Sequence, residues 1–107
     1  MSVTLAAIKR LVAAGDGLIS EHGYDELEND SIAVRDVLNG IAEAVLVEDY
    51  PGYYKGPSVL VLQSDGDSQP IHVVWGVPAG QTNPAVLVTA YRPEPRRWSV
   101  DFLKRLK

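Results

Sequence analysis

The chain has 107 residues, 46% of them hydrophobic, a formal net charge of −4 and no cysteine. This length and apolar content predict a single folded domain over residues 1–107, and the missing cysteines exclude disulfides and thiolate zinc sites. Since Lys9 and Arg10 interrupt the first apolar stretch and no run reaches the ~20 residues of a membrane span, we predict a cytoplasmic protein without membrane contact.

The first part of the chain has the apolar pattern of helices. Residues 4–14 carry apolar side chains at helical spacing and end before a glycine, which predicts an amphipathic helix. Residues 20–29 predict a second, shorter helix. Residues 34–41 predict a third, which the pair Asn39-Gly40 closes.

After the third helix, the apolar period changes from 3.6 to 2. The alternation predicts four strands, at residues 43–49, 58–63, 71–77 and 85–91. Turn-forming residues separate them, and the short loops favour an antiparallel meander, because parallel strands need long crossover connections.

Apolar side chains recur at helical spacing near the end of the chain, at Trp98, Phe102, Leu103 and Leu106. We therefore predict a short C-terminal helix. The whole pattern predicts the α+β class, with N-terminal helices packed on a four-stranded antiparallel sheet.

The charges are separated along the chain. Residues 16–50 contain ten acidic residues and one basic residue, a local charge of −9, whereas residues 92–107 have a local charge of +4. An overall acidic chain disfavours RNA or DNA as a partner, although the basic end could form a local patch. The acidic segment could instead bind a basic partner.

Four short motifs follow one another: His-Gly-Tyr-Asp-Glu-Leu at residues 22–27, Glu-Asp-Tyr-Pro at 48–51, Pro-Ile-His-Val at 70–73, and Thr-Ala-Tyr-Arg-Pro at 89–93 with Trp98 beyond it. In order and spacing they resemble DUF4258, a bacterial family of domains of unknown function. The resemblance extends over residues 19–98.

The layout of that family is similar to RelE-type ribonuclease toxins, which cleave RNA without a metal. The resemblance therefore implies a RelE-like layout, a possible ribonuclease activity and an antitoxin as partner. The family usually has basic residues four and eight positions after the helix histidine, where this chain has Glu26 and Asp30. Either this member has lost activity or those positions never contact substrate.

Two histidines are candidate catalytic residues because imidazole titrates near neutral pH. His22 could remove a ribose 2′ proton, or it could simply pair with Glu26 one helical turn away. His72 lies on a predicted strand and could contact a ligand, or it could be a satisfied polar group of the sheet.

Tyr91 and Arg92 end the last predicted strand and are the strongest candidates. Arginine offers a fixed fork of donors to phosphate, and tyrosine offers a hydroxyl and a stacking face. In a metal-free nuclease Arg92 would stabilise the charge on the reacting phosphate. The alternative is that Arg92 pairs with a carboxylate of residues 16–50.

No motif defines a reaction, and nothing in the sequence calls for a cofactor or a metal. We predict a non-catalytic protein-binding module, in which a homodimer is possible and the tyrosines around Gly52 could form a recognition loop. The first alternative is a metal-free RelE-like ribonuclease toxin with His22, His72, Tyr91 and Arg92 as its site. The second is a small-molecule-binding or other enzyme domain.

Overall fold

The computed structural model describes residues 2–106 and has three α-helices and one five-stranded sheet. The elements are α1 Val3–Ala13, β1 Gly17–Ile19, α2 Glu21–Asn29, α3 Val34–Gly40, β2 Val45–Tyr50, β3 Ser58–Ser64, β4 Pro70–Gly76 and β5 Ala85–Tyr91. Single turns of 3-10 helix lie at Ile41–Glu43 and Pro95–Arg97.

The sheet is mixed, with the strand order β1-β5-β4-β3-β2. Strands β2 to β5 form the predicted antiparallel meander, but β1 adds a fifth strand that pairs in parallel with β5. The α+β class is therefore confirmed, whereas the prediction of a four-stranded antiparallel sheet is wrong. The extra strand also means that the RelE-like layout is not matched exactly.

Serine side chains begin the first two helices. The hydroxyl of Ser2 accepts a hydrogen bond from the backbone N–H of Leu5, and the hydroxyl of Ser20 accepts one from Gly23. A side chain at Gly23 would lie 2.8 Å from the carbonyl oxygen of Leu87. The absence of one lets α2 pack closely on β5.

The helices cover one face of the sheet, which we call the inner face. Ile71, Val73 and Trp75 of β4 are fully buried there, in one cluster with residues of all three helices. The indole N–H of Trp75 donates to the amide oxygen of Gln63, and the amide nitrogen of Gln63 donates to the carbonyl of Val37. This buried amide fixes α3 to the sheet.

The opposite, outer face carries the alternate residues of the same strands, among them His72 and Val74. No helix from residues 2–106 packs on it. One half is covered by residues 98–105, the C-terminal hairpin, and the other half is open.

The predicted C-terminal helix is wrong. Residues 98–105 form a hairpin in which Trp98 and Arg105 make an antiparallel bridge. The side chain of Asp101 accepts hydrogen bonds from Ser99 and from the backbone N–H of Leu103. Phe102 has a φ of 62°, in the left-handed region. These side-chain bonds replace the helical ones that the apolar spacing suggests.

Within residues 2–106, every helix is too short or too polar to cross a membrane.

Candidate functional site

Two of the predicted site residues contact each other on the outer face. His72 on β4 and Tyr91 on β5 are register partners, and the Nδ1 atom of His72 lies 3.1 Å from the Tyr91 hydroxyl. The Nε2 atom lies 2.9 Å from the carbonyl oxygen of Phe102. Since a carbonyl can only accept, Nε2 carries the proton, and Nδ1 accepts a hydrogen bond from Tyr91.

The C-terminal hairpin closes His72 off from solvent, whereas Tyr91 stays partly exposed. His72 is 0% exposed, and the ring of Trp98 meets its imidazole edge-on, with the centroids 4.3 Å apart. Burial lowers the pKa of His72 below its usual value, although the bond to the carbonyl of Phe102 opposes that shift. Burial also raises the pKa of Tyr91. His72 is therefore a neutral, fully bonded imidazole at pH 7.

A second polar cluster fastens the hairpin to the sheet. The guanidinium of Arg105 donates from Nε to Glu48 Oε2 at 2.7 Å and from Nη2 to Oε1 at 3.0 Å. Tyr50 donates its hydroxyl to the same carboxylate. The bond from Arg105 lowers the pKa of Glu48, and the bond to Glu48 raises the pKa of Tyr50. The ion pair between Arg105 and Glu48 joins β2 to the last residues of the hairpin.

Arg92 makes its contacts within the molecule. Its Nη1 lies 3.0 Å from Asp65 Oδ2, its Nε donates to the backbone carbonyl of Asp30, and its Nη2 lies 3.4 Å from the carbonyl of Ser31. Its backbone N–H donates to the Asp30 carboxylate at 2.8 Å. Hydrogen bonds from the backbone of Gln69 and Asp67, and then from Arg92, hold the pKa of Asp65 below its usual value. Arg92 thus joins the end of α2 to the β3–β4 turn.

His22 is separated from His72 and Tyr91 by the sheet. It lies in the first turn of α2, which packs on the inner face, whereas His72 lies on the outer face. The His22 side chain is 65% exposed, and its Nε2 lies 3.6 Å from Glu26 Oε1. The structure therefore groups His72 with Tyr91, and it places His22 elsewhere.

An open cleft of about 860 Å³ lies beside the end of β5, and we call it the arginine cleft. Four arginines line it, Arg92, Arg96, Arg97 and Arg105. Tyr91 also lines it, so the hydroxyl bonded to His72 belongs to a residue that a ligand in the cleft could reach. Asp30 and Glu94 supply the carboxylates of the lining.

A groove of about 500 Å³ occupies the open half of the outer face, and we call it the valine–tyrosine groove. Its lining includes Tyr50, Tyr53, Lys55, Val74, Val86 and Val88. Tyr53 is 47% exposed and Val88 39% exposed, so apolar surface faces solvent here. Leu18 on β1 pairs with Val86 and extends this apolar surface to the edge strand, where it is 58% exposed.

Sequence reasoning missed the polar cluster of Glu48, Tyr50 and Arg105 that holds the hairpin. Glu48 and Tyr50 stand two positions apart on one strand, and such spacing puts them on one face, which was a usable signal. Arg105 gave no signal, because its partner lies 57 positions away. Among residues 2–106, no group of three or more histidine, aspartate and glutamate side chains is placed to hold a metal ion.

The fold and this site define a small α+β domain with one covered and one half-open sheet face. Residues 19–92 match the family described as "Domain of unknown function (DUF4258)". The chain therefore belongs to this family, as the four sequence motifs predicted. No curated protein and no solved structure gives a significant match.

Proposed function

We propose that this domain is a non-catalytic protein-binding module that binds an apolar segment of a partner protein in the valine–tyrosine groove. The carrying observation is the groove itself, with Val74, Val86 and Val88 in its lining and Tyr50 and Tyr53 beside them. Exposed apolar surface on a folded domain, rimmed by polar groups, is typical of interaction sites.

The C-terminal hairpin indicates what such a ligand looks like. On the covered half of the same face, the chain places Trp98 against the sheet, and it fixes the segment with the ion pair between Arg105 and Glu48. A partner segment on the open half would do the same with aromatic or branched apolar side chains. Aromatic anchors of this kind supply most of the binding energy in many interfaces.

Lys55 specifies the charge of the partner segment. It lines the groove, and among residues 2–106 no carboxylate forms an ion pair with it. Its Nζ lies 5.8 Å from the centre of the Tyr54 ring. An acidic side chain of the partner is the complementary group.

A second copy of the chain fits less well as the occupant. Each copy has a net charge of −4, and two copies would repel each other. A segment of a different protein avoids this repulsion, so we assign the groove to such a partner.

The test is selection of short random peptides displayed on phage against the purified domain. We expect the enriched peptides to combine aromatic or branched residues with Asp or Glu. Val88→Glu and Tyr53→Ser should each weaken the binding of a selected peptide by about tenfold or more. Tyr24→Ser should leave the affinity unchanged, because Tyr24 is exposed on α2 and does not line the groove.

Three results would overturn this proposal. One is a lack of enriched peptides, and another is peptides that bind the Val88→Glu variant as well as the wild type. The third is a concentration-dependent dimer in analytical ultracentrifugation that Val88→Glu abolishes, since that result assigns the groove to a second copy.

The ribonuclease toxin is the second candidate, and one observation favours it. Tyr91 lines the arginine cleft and its hydroxyl is bonded to His72, so a proton could pass between the cleft and the imidazole. It ranks second because the donors of Arg92 are bonded to Asp65, Asp30 and Ser31. A toxin should arrest growth when expressed, and Arg92→Ala should relieve the arrest. Normal growth on expression of soluble wild type contradicts it.

A further inference from the structure

Arg96 and Arg97 carry the least neutralised positive charge of the arginine cleft. The other two arginines of its lining are each paired with a carboxylate, Arg92 with Asp65 and Arg105 with Glu48. Arg96 and Arg97 share the single carboxylate of Glu94, at 3.7 and 3.4 Å, and both side chains are more than 75% exposed, at 88% and 76%. Their donors are therefore available to a ligand.

We propose that the arginine cleft binds a small phosphorylated molecule, with its phosphate groups held by Arg96 and Arg97. A phosphate monoester carries about −1.5 to −2 charges and three acceptor oxygens at pH 7. It satisfies two guanidinium groups better than one carboxylate, because each planar fork can bind two oxygens. Glu94 is then a weak internal competitor that the phosphate displaces.

The size and the surroundings of the cleft favour a compact ligand. Its volume of about 860 Å³ lies within the range of ~300–1,000 Å³ that is typical of small-molecule sites. Asp30 lines one side, at the C-terminal end of α2 and within the acidic segment of residues 16–50. An extended polyanion that left the cleft on this side would meet carboxylates of like charge.

The remaining two arginines shape the cleft. Arg105 is bonded to Glu48 and lies over the Trp98 ring, 4.9 Å from its centre. Arg92 is bonded to Asp65. Both are held in place by these carboxylates before a ligand arrives, so they form a fixed wall of the cleft, while Arg96 and Arg97 supply free donors.

The test is calorimetric titration of the intact domain at physiological salt with pyrophosphate, ADP, succinate and a single-stranded oligouridylate. We expect saturable binding of pyrophosphate and ADP. Replacing both Arg96→Gln and Arg97→Gln should weaken this binding by about tenfold or more. Arg35→Gln is the matched control, since Arg35 is exposed on α3, away from the cleft, and it should leave the affinity unchanged.

Glu94→Gln gives an independent check in the opposite direction. It removes the competing carboxylate, so it should tighten the binding of pyrophosphate several-fold. The proposal is overturned if neither pyrophosphate nor ADP binds saturably, or if succinate binds equally well. It is also overturned if the oligonucleotide binds more tightly than ADP, or if the variants at Arg96, Arg97 and Glu94 bind like the wild type. The site does not depend on the valine–tyrosine groove, and groove variants should leave these titrations unchanged.

Discussion

The Nδ1 atom of His72 lies 3.1 Å from the hydroxyl of Tyr91, across two strands that pair directly. The other ring nitrogen donates to the carbonyl of Phe102 in the C-terminal hairpin. One buried imidazole therefore joins two strands of the sheet to the segment that covers them. This arrangement stabilises the neutral form of the His72 imidazole.

The stability of the domain should decrease below pH ~6.5, the usual pKa of histidine. Because the pKa of His72 is lowered in the folded state, the unfolded chain binds more protons in this range, and the free energy of unfolding decreases as the pH decreases. The slope approaches ~1.4 kcal/mol per pH unit. Urea unfolding between pH 5 and 7 measures it. His72→Gln should flatten this slope, and His22→Gln should retain it because His22 is exposed. An unchanged slope in the His72→Gln variant contradicts this assignment.

Trp98 should be the main anchor of the C-terminal hairpin. It is 5% exposed and packs on His72, so Trp98→Ala should lower the free energy of unfolding by about 3 kcal/mol. Val100 lies in the same hairpin and is 99% exposed, and Val100→Ala should change stability by less than ~0.5 kcal/mol. Urea unfolding measures both variants. Equal losses for the two variants would mean that the hairpin does not pack as described.

Gln63 should be required inside the core. Gln63→Ala leaves the buried indole N–H of Trp75 without its acceptor and removes the hydrogen bond to the carbonyl of Val37, and we expect a loss of about 3 kcal/mol. The neighbouring Ser64 is exposed, and Ser64→Ala should be close to neutral. Thermal unfolding of both variants makes the comparison. A neutral Gln63→Ala variant would show that water replaces the amide.

Two glycines near the tyrosines should respond oppositely to alanine. Gly56 has a φ of +128°, and a Cβ there would lie 1.9 Å from the carbonyl oxygen of Val77, so Gly56→Ala should cost about 2 kcal/mol or more. At Gly52 nothing lies within 4 Å of a Cβ, and Gly52→Ala should be tolerated. Chemical unfolding distinguishes them. If both variants are equally stable, the loop has a different conformation.

Most of the secondary structure could be predicted because each element carries its own local pattern. The four strands β2 to β5 were found within about two residues, since alternation and turn residues define them locally. Strand β1 was missed because three residues are too few to show a period, and its pairing with β5 is non-local. The hairpin at residues 98–105 was mistaken for a helix because the spacing of apolar residues gives no information on the side-chain hydrogen bonds of Ser99 and Asp101.

The four predicted site residues do not form one site, because long-range contacts that a single sequence does not reveal determine their positions. His72 and Tyr91 lie together because they are register partners on neighbouring strands. The guanidinium of Arg92 pairs with Asp65, whereas the sequence analysis expected a carboxylate of residues 16–50. The two acidic positions that depart from the family pattern also have contacts. Glu26 lies beside His22, and Asp30 binds the backbone of Arg92. Both acidic residues thus contact a predicted site residue of this chain.

The parallel pairing of β1 with β5 ties together segments that are synthesised far apart in time. The hydroxyl of Ser20 donates to the carbonyl of Val88, 68 positions later, directly beside this pairing. On the ribosome, β1 has no strand to pair with and α2 lacks its main docking strand until β5 has emerged. The native packing of β1 and α2 should consequently form only once β5 is available, and a nascent chain truncated before β5 should remain sensitive to protease.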